Sequence, residues 1–560
     1  MKQKLLLFFI ILLSLNSFAQ KPKYIMPMDI PPLLSASFAE MRANHFHAGL
    51  DFTTSGEMGV PIKAVADGYV SRIKVGPFGY GTALYITHYD GYTTLYGHLS
   101  GYAPKIEKVI EAEQYKLKSF EVEYYPKENE IPVKKGEIVA FSGNSGGSGG
   151  PHLHFEVRET ESEDALNPLD FLPEISDTQA PTVYGIKIYA LEDDSQVAGL
   201  CSDKYFTMAQ INNRTINAYG HIGFGINAVD YFIAGHRPCG VVEIALYDND
   251  NLIFKSRLDR VPFDKSRYIN SHIDFEEYQD SRNFIQKSFV DVNNNLLIYD
   301  KSEDTFVEEG ETHKMRYELK DFIGNKKVVN FNVVGKKSET ATPKTHIVGN
   351  VEWIQTCMID TLNFVAEFPY PSFYKNEYLE IDTSYSKVFS QTIYHLGNYR
   401  ISIHNYSKIY LPLPECITSM IGTKINQNQI YAGLIGDKNS IYYLGGKVND
   451  KHIEVETRIL GRFVVSVDTI APNVKIKNKG SEIFYGNQIA IHLTDNKSGI
   501  NKYNVYIDNQ WKIFEYDYKN KQLIANVSKL NIKPGSHILK ATVTDKCENE
   551  KTIEWKFRVK

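Results

Sequence analysis

Three short stretches carry most of the side chains able to do chemistry. "HFHAGLD" at residues 45–51 places His47 and Asp51 four apart with Gly49 between them. "TLYGHLS" at 94–100 ends an apolar run on His98, and "GGPHLHFEV" at 149–157 sets His152 and His154 one leucine apart. Imidazole nitrogen and carboxylate oxygen both bind zinc at about 2.0–2.2 Å, so His47 and Asp51 suit two positions of a tetrahedral site. A strand sends alternate side chains to one face, which would stand His152 beside His154 with Cα atoms roughly 7 Å apart. Such a pair can supply two ligands, none, or one ligand and one proton-handling group. Each stretch alone also has an ordinary structural explanation. The chain holds 16 histidines, His-x-x-x-Asp recurs by accident, and a strand face or strand end in water often carries a histidine. The loop "GNSGGSGG" (143–150) just before the third stretch lets backbone approach a metal or substrate closely.

The elements that must position these residues read as β-structure. "ALYITHY", "YTTLYGHL", "EIVAFSG" and "LHFEVR" alternate or run apolar over strand length with glycine-bearing turns between them. "LDFTT" after the first stretch favours a loop running into a strand rather than a helix. One segment departs from this pattern. "PKIEKVIEAEQYKLKS" (104–119) sets Ile106, Val109 and Ile110 at helical spacing among lysines and glutamates, which predicts a short solvated helix between strands.

Taken together, the three stretches resemble the lysostaphin/LytM-type zinc endopeptidases of bacterial cell walls. "VPIKAVADGYV" (60–70), "VKKGEIVAFSGNSG" (133–146) and "NPLDFLP" (167–173) extend the resemblance over about 35–173, roughly a quarter of the chain. The resemblance implies zinc ligation by His47, Asp51 and His154 and catalytic roles for His98 and His152. Three protein ligands leave the fourth position that a hydrolytic zinc needs for water. A zinc-bound water has its pKa lowered toward neutrality, and the two remaining histidines suit proton transfer; which of them is the base stays open. The implied activity is hydrolysis of peptide bonds in peptidoglycan stems or cross-links. Two alternatives stand beside it: a non-catalytic module that binds wall or activates other hydrolases, and an endopeptidase for a glycine-rich protein. About 25 residues between "YGHLSGY" and "VKKGE" are additional to the family pattern, and the insertion at about 103–131 reads either as a lid over the substrate groove or as passive elaboration.

The rest of the chain sets the frame. At 560 residues, it exceeds one core and is expected to hold three or four domains. Lys2 and Lys4, the apolar run Leu5–Leu13 and the exit "NSFAQ" form a secretory leader over 1–20 rather than a membrane span. The expected place is therefore periplasmic, extracellular or at the cell surface, with no transmembrane segment after leader removal. Losing those two lysines takes the formal charge from −5 to −7, unlike a nucleic-acid binder. Five cysteines without a CxxC pair exclude zinc-ribbon and thioredoxin-like readings; spacing permits Cys201–Cys239 and Cys357–Cys416 pairs without requiring either.

An internal echo organises the tail. "DTQAPTV" at 177–183 recurs as "DTIAPNV" at 468–474, and the run from His313 matches that from His537, each with an Asp eight residues on and an Asn four beyond that. The fold class expected is mainly β. It comprises an antiparallel peptidase domain over 21–174, immunoglobulin-like β-sandwiches over 177–335 and 468–560, and a β-rich domain of unassigned topology over 336–467. "YRISIHNY", "KIYLPL" and "SIYYLGG" are its expected strands. Contact with a cell-surface protein or glycan is the role expected of this tail.

Overall fold

A computed structural model describes residues 23–211, 214–232, 238–344, 350–478 and 480–560. The leader assigned to residues 1–20 lies outside the described residues. The protein is mainly β, and no helix among the described residues is long and apolar enough to cross a membrane.

The N-terminal domain is built on an antiparallel sheet of seven principal strands. These are β1 (Leu34–Ala36), β2 (Leu50–Thr53), β3 (Gly68–Val75), β4 (Ala83–His88), β5 (Tyr92–Gly97), β6 (Val122–Tyr124) and β7 (His152–Glu159). Their order is β1-β2-β7-β5-β4-β3-β6. The last strand in sequence is thus inserted between β2 and β5, and this brings three distant stretches together. In the register, His154 lies opposite Asp51 on β2 and opposite Gly97 on β5.

Alternation along β7 fixes which face does what. Leu153, Phe155 and Val157 are fully buried in the domain core with Phe52, Tyr96 and Ile86. Burial of each such side chain stabilises by roughly 1.5–3 kcal/mol. A one-residue slip would turn the histidines into the apolar core instead, so the core sets the orientation of His152, His154, Glu156 and Arg158 on the other face.

The charged insertion forms α1 (Pro104–Leu117). Pro104 occupies the first turn, where its missing N–H costs nothing, and Lys118 ends the helix at φ 49°. Ile106 and Ile110 are buried in the core of the N-terminal domain. The outer side of α1 meets the C-terminal sandwich: Tyr115 packs edge-on against Trp511 at 5.6 Å, and Lys529 lies 3.6 Å from Glu107.

The tail forms three β-units with separate cores. A large mixed sheet spans 182–335, two five-stranded sheets span 357–467, and a four- and a five-stranded sheet enclose the core of 473–559. Ser407–Pro412 and Ile441–Gly445 are strands as their alternation suggests. "YRISIHNY" (399–406) is not a strand. It docks on the preceding unit: Arg267 Nε and Nη2 donate to the Ile403 carbonyl at 3.0 and 2.8 Å, and His404 stacks on Tyr268 at 4.2 Å. Its alternation reflects a two-sided contact rather than a pleat. No disulfide joins any of the five cysteines, so neither spacing-permitted pair forms.

The first tail unit also completes the N-terminal domain. Arg260–Val261 pairs with Ala165–Leu166, and Leu258, Val261, Tyr268, Ile269 and Ile273 join the core of the N-terminal domain. Arg260 ties the two parts through Glu159 and Asp164.

Candidate active site

Three ligand-type atoms converge at the centre of the sheet face. His47 Nε2, Asp51 Oδ1 and His154 Nδ1 lie 3.1, 3.0 and 2.8 Å apart, pair by pair. Around zinc, the edge of a tetrahedron with such bonds is about 3.3 Å, so small outward shifts would admit an ion. The three residues together could hold a metal ion.

The far side of each histidine is anchored. His47 Nδ1 faces the Ser37 carbonyl at 2.7 Å, and His154 Nε2 faces Glu156 Oε1 at 2.8 Å. Each anchor accepts the ring's other N–H, which fixes the tautomer and leaves a lone pair turned to the centre. Glu156 is itself held by Arg158 Nε at 2.6 Å and by the Tyr80 hydroxyl, which donates at 2.6 Å. Arg158 in turn lies 4.2 Å over the ring of Phe263, from the first tail unit.

His98 and His152 flank this centre. Their rings lie 4.7 Å apart, and His98 is 5.8 Å from His154. The chain turns into the left-handed region at His98, φ 59°, immediately beyond β5. For a residue other than glycine this is uncommon, and it swings the ring into the cleft. At Gly97 a Cβ would sit 3.3 Å from the His154 Cβ and 3.4 Å from the Tyr80 ring, so the glycine gives both rings room. His98 Nδ1 faces the Ser145 carbonyl at 2.8 Å, in the glycine-rich loop. His152 Nδ1 faces the Gly150 carbonyl at 2.8 Å, while its Nε2 is buried without a hydrogen bond, 3.5 Å from Asp51 Oδ1.

The electrostatics follow from burial and these neighbours. Burial alone would raise the Asp51 carboxyl, but His47, His152 and His154 outweigh it and hold the group well below the usual range. Burial likewise disfavours a charged His154, yet Asp51 and Glu156 push it up to about 9. His98 moves the other way, down to about 3, through burial and then repulsion by His154 and His152. His98 is therefore held as a neutral imidazole. Because the His154 proton must leave before a metal enters, apparent metal affinity is expected to rise about tenfold per pH unit and to level off near pH 9. A competition titration with a chromophoric chelator at stepped pH checks this; a flat profile would contradict it.

The cleft has a volume of about 870 Å³, and Arg42, Phe263, Arg267 and Arg458 form part of its wall. No residue of the 103–131 insertion lines it. The insertion instead faces a second cleft shared with the C-terminal sandwich. Glu156, Arg158 and Tyr80 escaped the sequence reading. Period-two alternation from His152 through His154 points directly to Glu156 and Arg158; nothing local points to Tyr80 or to the wall from the tail. Glu156→Gln is expected to weaken metal affinity about 10–100-fold, measured by the same titration on samples shown to be folded by their melting profile.

Comparison with known proteins places this geometry. Residues 45–115 match the family model described as "Peptidase family M23", and 349–468 match a "Zu5-like domain". The first match ends inside α1, so His152 and His154 fall beyond it, and the strand order returns them to the site. A DD-carboxypeptidase/endopeptidase, Mpg, of Neisseria meningitidis serogroup B is 34% identical over 112 residues, covering 20% of this chain and 20% of that protein. Lysostaphin of Staphylococcus staphylolyticus is 29% identical over 129 residues, covering 22% of each. The chain thus spans about a fifth of the length of the curated relatives it matches. Among solved structures, a zinc-containing peptidase from Vibrio cholerae is 27% identical with a TM-score of 0.19, covering 24% of this chain and 37% of that one. The N-terminal part of this chain carries a peptidase domain of family M23.

Proposed function

We propose that the protein is an exported zinc-dependent endopeptidase that hydrolyses peptide bonds of bacterial peptidoglycan. The observation that carries this reading is the convergence of His47 Nε2, Asp51 Oδ1 and His154 Nδ1 in a cleft that His98 and His152 also line. Two imidazole nitrogens and one carboxylate oxygen form a donor set that suits zinc with an open position. Zinc bound there supplies a Lewis acid that polarises a carbonyl and lowers the pKa of water.

The chain's own residues do the rest. Ser37 and Glu156 hold the ligand rings in the required tautomers. His98, kept neutral and oriented by the Ser145 carbonyl, offers a nitrogen to take a proton. His152, with Nδ1 held by the Gly150 carbonyl and Nε2 3.5 Å from Asp51, is placed to pass on a proton once its Nε2 has taken one. The guanidinium groups of Arg42, Arg267 and Arg458 on the wall suit a peptide bearing carboxylates. The full set of five residues favours catalysis over a purely binding role.

Incubating the zinc-loaded protein with purified sacculi and reading the released muropeptides by mass spectrometry tests the proposal. Fragments with cut peptide bonds and intact glycan linkages are expected. Sacculi left undigested, with a glycine-rich protein cleaved instead, would contradict the proposed substrate.

A further inference from the structure

Outside the peptidase cleft, one buried group of acidic side chains has no balancing partner among the described residues. Asp177, Asp230 and Asp321 are 9, 3 and 4% exposed, and one carboxylate oxygen from each lies within 4.8 Å of the others. Among the described residues, no lysine, arginine or histidine forms an ion pair with any of them. Asp230 Oδ1 and Asp177 Oδ2 are buried without a hydrogen bond. Asp321 is instead oriented by its own turn, accepting from the Gly324 and Asn325 N–H groups at 2.7 and 2.8 Å and from Asn325 Nδ2 at 2.8 Å.

Three carboxylates so close in a buried place repel one another, and burying unpaired charge is costly. An all-oxygen donor set without nitrogen or sulfur favours a hard cation, and calcium accepts irregular sets of 6–8 oxygens completed by carbonyls and water. We propose that Asp177, Asp230 and Asp321 form a calcium site at the junction of the peptidase domain and the first tail unit.

The fold supports a built site. Asp177 lies on the segment leaving the peptidase domain. Asp230 directly follows the strand Thr215–Val229, whose last residue pairs with Thr182. Backbone bonds at 3.0 and 2.7 Å join Asp230 to Cys239. The next residue, Gly240, donates to Ser37 Oγ at 2.9 Å, and the Ser37 carbonyl anchors His47. The repeat places Asp468, Asp495 and Asp545 in the same way: Asn473 pairs with Thr494 just before Asp495, and Asn549 bonds Asp545 as Asn325 bonds Asp321. In that copy Ser498 donates to Asp468 Oδ2 from both N and Oγ. Donors already meet the oxygen there, so the proposal is confined to the first triad.

The test uses the full zinc-loaded chain, dialysed against calcium-free buffer containing zinc and titrated calorimetrically with calcium chloride alone. One calcium equivalent is expected to be lost in Asp230→Asn and retained in Asp495→Asn, and saturating calcium should raise the melting temperature of the unmodified protein by several degrees. Asp177→Asn repeats the test should Asp230→Asn fail to fold. An unmodified protein that neither binds calcium nor shifts in melting would overturn the proposal. So would equal binding by the unmodified protein and either first-triad variant.

Discussion

His154→Ala is expected to lose bound zinc and peptide hydrolysis together. Its Nδ1 is the atom nearest both Asp51 and His47, and its Nε2 is locked by a buried Glu156–Arg158–Tyr80 network. Removing the ring deletes a ligand outright, so the loss of affinity should exceed the roughly 10–100-fold expected for its anchor Glu156. The fold should survive, because the neighbours that build the core, Leu153, Phe155 and Val157, point the other way. Zinc content by atomic absorption and turnover on sacculi, on one folded sample, give the answer. Retention of a full zinc equivalent would show that His154 is not a ligand.

His98→Ala and His152→Ala are expected to behave differently from His154→Ala and alike one another. Neither ring belongs to the converging triad, so each variant should keep about one zinc equivalent. Turnover should fall roughly 10²–10⁴-fold, the usual contribution of a positioned proton-transfer group. The loss should appear in kcat with KM little changed, since an interaction made only in the transition state is removed. His152 is the sharper case. It stands one leucine from His154 on the same strand face, yet its Nδ1 is bound to the Gly150 carbonyl and its Nε2 is 3.5 Å from Asp51. If His152→Ala lost zinc as His154→Ala does, the division of labour between the two rings would be wrong.

Much of this site is legible in the sequence because strand alternation is local. "HLHFEV" declares one face of histidines and one of core residues, and the same period carries on to Glu156 and Arg158. What alternation does not declare is which strands become neighbours. The position of β7 between β2 and β5 follows from the whole sheet, so the meeting of His154 with Asp51 and Gly97 rests on order, not on spacing. The helix over 104–117 is legible from Ile106 and Ile110, but its outward partner, Trp511, is some four hundred residues away and leaves no local sign. The same holds for Phe263 and Arg267 on the cleft wall. "YRISIHNY" misleads for the opposite reason: a docking loop that seats Ile403 in its own unit's core and His404 on Tyr268 of the preceding unit imitates a strand.

In the proposed function, hydrolysis depends on zinc held by His47, Asp51 and His154. The most direct test strips the protein with a zinc-selective chelator, measures turnover on sacculi, and returns zinc in stoichiometric steps. Complete loss is expected, with recovery that saturates at one zinc per chain and none from magnesium or calcium. Turnover that persists in the metal-free protein, or that calcium alone restores, would contradict it.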